Sequence, residues 1–220
     1  MRVSDSKQSI LDRINAVADD RRAESADVDY QQEEIYKAVL PDPLTCFKQE
    51  LEAVGGQCVL CDGEHDMYKK LAALVEQKGL SFLFTRDAEI AAKLKASNIP
   101  VESEEDIFER ISAGITGCES LIARTGSVLV SSAGSSGRQM VAFPPIHIVL
   151  ASAAQLVHYP QDALEHLKAK YEGNLPSEIS IITGPSRTAD IEKTLVLGAH
   201  GPKELFIFVQ HKIETSNTIA

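Results

Sequence analysis

A chain of 220 residues with 44% hydrophobic and 25% charged side chains has enough apolar material for one sizeable α/β domain, alone or with an arm, and is too apolar for wholesale disorder. Its formal net charge of −10, with 32 acidic against 22 basic residues spread along the chain, excludes a phosphate-backbone binder, so no nucleic-acid partner is expected. The most apolar window, VAFPPIHIVLASAAQLVHY, is broken by Pro144, Pro145, His147, Gln155 and His158, and no membrane span is expected.

The opening MRVSDSKQSILDR is polar and lacks the apolar h-region of a secretory leader, and four cysteines are too few for a disulfide framework in a chain of this length; the expectation is a cytoplasmic protein with reduced thiols. Ile10, Leu11, Ile14 and Val17 recur at helical spacing, and DVDYQQEEIYKAVL reads as a second helical segment before Pro41 and Pro43 break the pattern. Residues 1–50 are therefore expected to form a helical arm, 51–212 an α/β domain and 213–220 a tail. An arm with a one-sided apolar stripe must bury it on the main domain or on a partner.

From Gly55 onward short apolar runs alternate with helical periods. QCVLC reads as a strand, EHDMYKKLAALVEQKG as a helix ending at Gly79, LSFLFT as a strand and DAEIAAKLKAS as a helix capped by Asp87. IPVE follows as a short strand and SEEDIFER as a helical turn capped by Ser103. ISAGIT and GSVLVSS are expected as strands on either side of a turn-like GCESLIART, with GSVLVSSAGSSGRQMVAF as a candidate antiparallel hairpin. IHIVLAS, LVHY, EISIIT and ELFIFVQ are further apolar runs, and PQDALEHLKAKY is a helix with Pro160 near its start. This βα alternation implies a largely parallel sheet covered by helices on both faces.

Cys58 and Cys61 form a CxxC pattern, but three residues apart on a strand they point to opposite faces, which reads as buried thiols rather than a metal pair. His158, His166 and His211 read as surface or edge residues and His65 as part of a first helical turn. His147 either lines a cleft or is a core histidine. His200 stands on the tight turn GAHGP, where it meets whatever approaches.

The stretch ITGPSRTADIE reads as a strand-to-helix turn with two competing meanings. Ser186, Arg187 and Thr188 would offer two hydroxyls and a cation at a helix N-terminus, suited to a carboxylate or phosphate. Alternatively, Ser186 or Thr188 simply caps the helix, with Asp190 and Glu192 in its first turn, although neither cap has the Glu or Gln three positions on that completes a capping box. Dinucleotide, P-loop, hydrolase and zincin motifs do not occur, so redox chemistry on this chain alone is not expected.

GITGCESLIARTGSVLV, then FPPIHIVL, then ITGPSRTADIEKTLVLGAHGPKEL resemble, in that order, the motifs of the LUD domain family over residues 50–210. Within it the chain looks most like the C-type lactate utilization proteins, small subunits without iron–sulfur motifs. The resemblance implies a three-layer α/β/α fold with a mostly parallel mixed sheet, similar to ribose-5-phosphate isomerase A and the CoA transferases. It implies a non-redox subunit of a system oxidising L-lactate to pyruvate, with no cofactor on this chain and iron–sulfur clusters in partner subunits.

The matching positions Thr125, Gly126, His147, Gly184, Ser186, Arg187, Thr188 and Asp190 are expected to bind a small anionic metabolite; Gly201 and Pro202 match as well, and His200 and Glu192 are the catalytic candidates. Arg124 stands where family members often have an acid. The alternative function is a stand-alone enzyme or ligand-binding regulatory protein acting on a sugar phosphate or CoA ester. A covalent transferase would need a carboxylate in its cleft, for which Glu119 is the nearest candidate.

Overall fold

The computed structural model describes residues 7, 9–13, 15, 38–133, 139–189, 195–197 and 201–211. The chain divides into two compact units, 1–38 and 39–220. In the first, residues 9–13 are helical, with Ile10 58% and Leu11 40% exposed; Ile14, Val17 and most of the second expected arm helix lie outside the described residues.

The second unit opens with helix α1 (Pro43–Ala53). Asp42 caps it by accepting from the Leu44 and Thr45 amides at 3.1 and 3.0 Å, and Pro43 occupies the first turn, where its missing N–H costs nothing. The proline pair thus starts a helix as well as ending a pattern. Phe47 and Leu51 of α1 are fully buried, so the helix that crosses the expected boundary at residue 50 belongs to the domain rather than to the arm.

Six strands form the main sheet in the order β1 (Gln57–Cys61), β12 (Glu204–Gln210), β7 (Ile146–Ser152), β4 (Ala113–Thr116), β2 (Leu83–Phe84), β3 (Val101–Glu102), every pair parallel. The strands are apolar on both sides because both faces are covered. Ile115, Ile148, Phe206 and Phe208 face α2 (Glu64–Lys78) and α3 (Ala88–Ala96), whereas Val149, Ile207 and Val209 face α1 and a smaller sheet. Cys58 packs in the second of these cores and Cys61 in the first, as their spacing requires. Burial pushes the two thiols up to about 12 and about 11.

The smaller sheet runs β8 (Leu156–Val157), β5 (Ser120–Ile122), β6 (Ser127–Ser131), β9 (Ile179–Ile182); β5–β6 and β6–β9 are antiparallel and β5–β8 parallel. Its far face packs Ile122 and Leu129 on α4 (Pro160–Lys170) through Ala163 and Leu167. The result is the expected three-layer α/β/α fold, with α1 and the smaller sheet making the second outer layer and α4 outside it. No helix among the described residues is long and apolar enough to cross a membrane.

Four local expectations change. GCESLIART holds strand β5, whose three residues are all buried, not merely a turn. β6 forms its hairpin with β5 and pairs on its other side with β9, while residues 139–141 are a 3-10 turn, so the candidate hairpin with the following segment does not form. The turn at Glu105–Arg110 is also 3-10 and starts from Glu104 without a side-chain cap, so Ser103 does not cap it. Finally, the segment after Gly184 enters a strand: β10 (Arg187–Ala189) pairs antiparallel with β11 (Leu195–Leu197). Gly79 (φ 64°) and Asp87 terminate α2 and cap α3 as their positions predict.

Candidate functional site

The chain leaves β2 toward α3 and β3 on one side of the sheet, but leaves β4 toward β7 on the other. Loops that diverge at the carboxyl edge of a parallel sheet open a crevice between them, the usual ligand position in such folds. Two adjoining clefts of about 300 and 340 Å3 lie there, and Asp87, after β2, and Gly117, after β4, border both. Thr116 lies at the base of the first cleft, and Glu119, Ser131, Lys170 and Tyr171 wall it.

Glu119 has 9% of its side chain exposed and is surrounded by donors. One oxygen accepts from the Ser131 hydroxyl at 2.6 Å and the Tyr171 hydroxyl at 2.8 Å, the other from Lys170 Nζ at 2.7 Å. Burial alone would raise its pKa, but the three donors together hold the carboxyl below its ordinary value of 4.5. Lys170 is raised in turn by its bond to Glu119 and keeps a side chain 60% exposed. The cleft therefore has a fixed, ionised acceptor and, bonded to it, a lysine whose side chain is largely exposed. Cys118 beside them is pushed up to about 12 by burial and is a thiol, not a thiolate, at neutral pH.

Glu119→Gln removes the ion pair and is expected to cost about 1–3 kcal/mol at pH 7 in urea denaturation. Because the folded pKa lies below the unfolded one, wild type holds this advantage above pH 4.5 and loses it as pH falls through the lower folded value. A difference that persisted undiminished at pH 2 would argue against the assignment.

The signature residues lie elsewhere, around the end of α1. Ser127 Oγ is 2.8 Å from Thr125 Oγ1 and 2.7 Å from Thr183 Oγ1, so one chain of hydroxyls ties the ARTGS stretch to the TGPSR stretch. Gly126 (φ 58°) lies against the backbone of Glu50 and Leu51, and Gly184 (φ 78°) against Val54. The Arg187 guanidinium donates to the Val54 carbonyl at the helix end, where carbonyls lack an intrahelical partner. Arg124 donates to Glu50 at 3.1 Å, which gives a structural use to the residue that departs from the family pattern. These residues clasp α1. Arg187→Met is expected to lower stability by about 1 kcal/mol, read as a shift in the urea midpoint.

The helix N-terminus on which the anion-site reading of Ser186, Arg187, Thr188 and Asp190 rested is not formed, because Arg187 and Thr188 are strand residues. The Ser186 amide instead donates to the Pro202 carbonyl at 2.8 Å, joining the two most specific motifs. β9 belongs to the smaller sheet and β12 to the main one, so the turns that follow and precede them are free to meet. The side chain of Thr188, and Asp190, Glu192 and His200 altogether, lie outside the described residues.

His147 is a core residue, fully buried, with Nε2 2.9 Å from Thr116 Oγ1 and Nδ1 without a partner among the described residues. Burial pushes its pKa down to about 4, so it is neutral at pH 7. Among the described residues no group of three or more His, Cys, Asp or Glu is arranged to hold a metal ion. Sequence reasoning missed Gly117, Ser131, Lys170 and Tyr171. Gly117 was open to it through the rule that ligands gather at strand carboxyl ends; Lys170 was not, since it meets Glu119 from 51 residues away.

The LUD domain family matches residues 44–209. An uncharacterized protein of Neisseria meningitidis serogroup B is 37% identical over 145 residues, 60% of this chain and 62% of that one. A lactate utilization protein C of Shouchella clausii is 39% identical over 101 residues, 45% of this chain and 44% of that one. The chain thus spans less than two thirds of either relative's length. A DUF162 family protein from Deinococcus radiodurans, 19% identical, superposes with a TM-score of 0.58 over 76% of this chain and 96% of that one, which shows a common fold. With a match running from α1 to the last strand of the main sheet, this chain belongs to the LUD domain family.

Proposed function

We propose that this chain takes part in lactate utilization as a subunit that supports oxidation of L-lactate to pyruvate, and that a small carboxylate binds in the first cleft beside Lys170. The likeness to a protein named lactate utilization protein C supports the role. The observation that carries the site is Lys170 at the carboxyl edge of the sheet, its side chain 60% exposed and paired with a Glu119 carboxylate that two hydroxyls also hold. Oxidising lactate removes two electrons, which this reading passes to iron–sulfur partner subunits docked on the arm at residues 1–38.

Anaerobic purification of the tagged chain from its native host tests the reading. Iron–sulfur proteins should come down with wild type and with Lys170→Met, and be lost when residues 1–38 are deleted. Lys170→Met should reduce lactate-dependent growth at least tenfold at unchanged protein level. Recovery of the wild-type chain with no iron–sulfur partner would sink the subunit role, and unimpaired growth of Lys170→Met would sink the site.

A further inference from the structure

Most of the described glycines in this domain are explained by backbone or by neighbours. Gly79, Gly126, Gly173 and Gly184 have positive φ, and Gly56 and Gly114 would push a Cβ into Leu51 or into Met140 and Pro144. Among the described glycines, Gly117 alone meets neither condition: its φ is ordinary and, its two chain neighbours aside, no protein atom lies within 4 Å of where a Cβ would stand. The fold would accept an alanine there. Gly117 also borders both clefts of the crevice, and a Cβ there would stand in open space. Bare backbone at such a point lets a ligand approach closely.

The two clefts differ in chemistry. In the first, Lys170 is paired with one carboxylate, Glu119, which also accepts from Ser131 and Tyr171, and its side chain is 60% exposed. In the second, Lys93 is 2.9 Å from Glu64 and 3.0 Å from Glu89, so its charges are already paired, and Met67, Tyr68, Ile90 and Leu150 supply apolar wall. A three-carbon hydroxy acid would fill only part of the first cleft, whereas clefts of about 300 and 340 Å3 are in the range of ordinary organic-ligand sites.

We propose that Gly117 is the crossing point of an extended organic acid, whose carboxylate meets Lys170 in the first cleft and whose uncharged, largely apolar body passes over the Gly117 backbone into the second. This rests on the reading that a carboxylate binds beside Lys170, and adds that the site accepts a molecule longer than lactate.

Three probes separate the two ideas: acetate, 4-phenylbutyrate and the neutral 4-phenylbutanol, titrated by calorimetry against wild type and Gly117→Ala, with amide shifts followed at Gly117. Wild type should bind 4-phenylbutyrate at least roughly tenfold more tightly than acetate, because the phenyl group is buried in the second cleft. Gly117→Ala should keep the wild-type melting temperature or exceed it and lose most of that tenfold advantage. An advantage retained by Gly117→Ala, or wild-type amide shifts that spare Gly117, would overturn the crossing. Binding of 4-phenylbutanol as tight as that of 4-phenylbutyrate, with Gly117 shifted and acetate without effect, would leave the crossing standing and overturn the carboxylate reading beneath it. No binding of any probe to wild type would overturn both.

Discussion

Gly126→Ala is expected to destabilise the domain by about 2–5 kcal/mol, the sum of roughly 1–2 for placing a side chain in the left-handed region and roughly 1–3 for overpacking. At φ 58° the new Cβ would stand 2.5 Å from the Glu50 carbonyl carbon and 2.6 Å from Leu51 Cα, and nearer still to Leu51 N. These are backbone atoms of α1 and cannot swing aside as a side chain would. The helix would have to lift, taking Phe47 and Leu51 out of the core. For a chain of this size the loss corresponds to a fall of about 10 °C in melting temperature. A calorimetric midpoint unchanged within 2 °C would mean that α1 does not dock as described.

The second large effect is on pH dependence. His147 has an ordinary pKa of 6.5 and a folded one of about 4, because its buried ring cannot be charged without solvent. As pH falls through 6.5 the unfolded chain takes up a proton that the folded chain refuses until about pH 4. Stability from this residue is therefore complete above pH 6.5 and declines between 6.5 and 4, by about 3 kcal/mol. His147→Gln can keep a hydrogen bond to Thr116 and does not titrate. Urea midpoints measured from pH 7.5 to 4 should fall for wild type and stay nearly level for the variant, apart from what carboxylates contribute near the acid end. Parallel curves would mean that His147 is solvated in the folded protein.

Much of the fold was legible in the sequence because its cause is local. β1, β7 and β12 are continuous apolar runs, as strands covered on both faces must be, and Asp87 and Gly79 mark helix ends by side-chain chemistry and backbone conformation. The misreadings have equally specific causes. Strand β5 is three residues long and lies among Gly117, Cys118, Glu119 and Arg124, a composition that signals a turn. The approach to β10 carries Gly184, Pro185 and Ser186, with Asp190 and Glu192 beyond, which imitates a helix start; the missing capping box was the contrary sign. The boundary expected at residue 50 cuts α1 because a proline that breaks one helical pattern can equally open the next helix, as Pro43 does.

The candidate site was less legible, for a physical reason. The GPSRT and ARTGS stretches stand out in sequence through glycines and hydroxyls that the structure uses to hold a helix end. The crevice is assembled from the ends of β2 and β4, from Ser131 on β6 and from the last turn of α4, none of which shares a local pattern. The two parts serve one architecture: a clasped helix at the start of the domain and a ligand crevice at the sheet edge.

The proposed location of the small carboxylate is tested most directly by titrating isotopically labelled protein with L-lactate and with pyruvate and following the backbone amides. Binding beside Lys170 predicts saturable shifts centred on Gly117, Cys118, Ser131 and Tyr171, weakened at least tenfold by Lys170→Met. Shifts centred on Gly184, Ser186 and Arg187 instead, or shifts that Lys170→Met leaves unchanged, would contradict it.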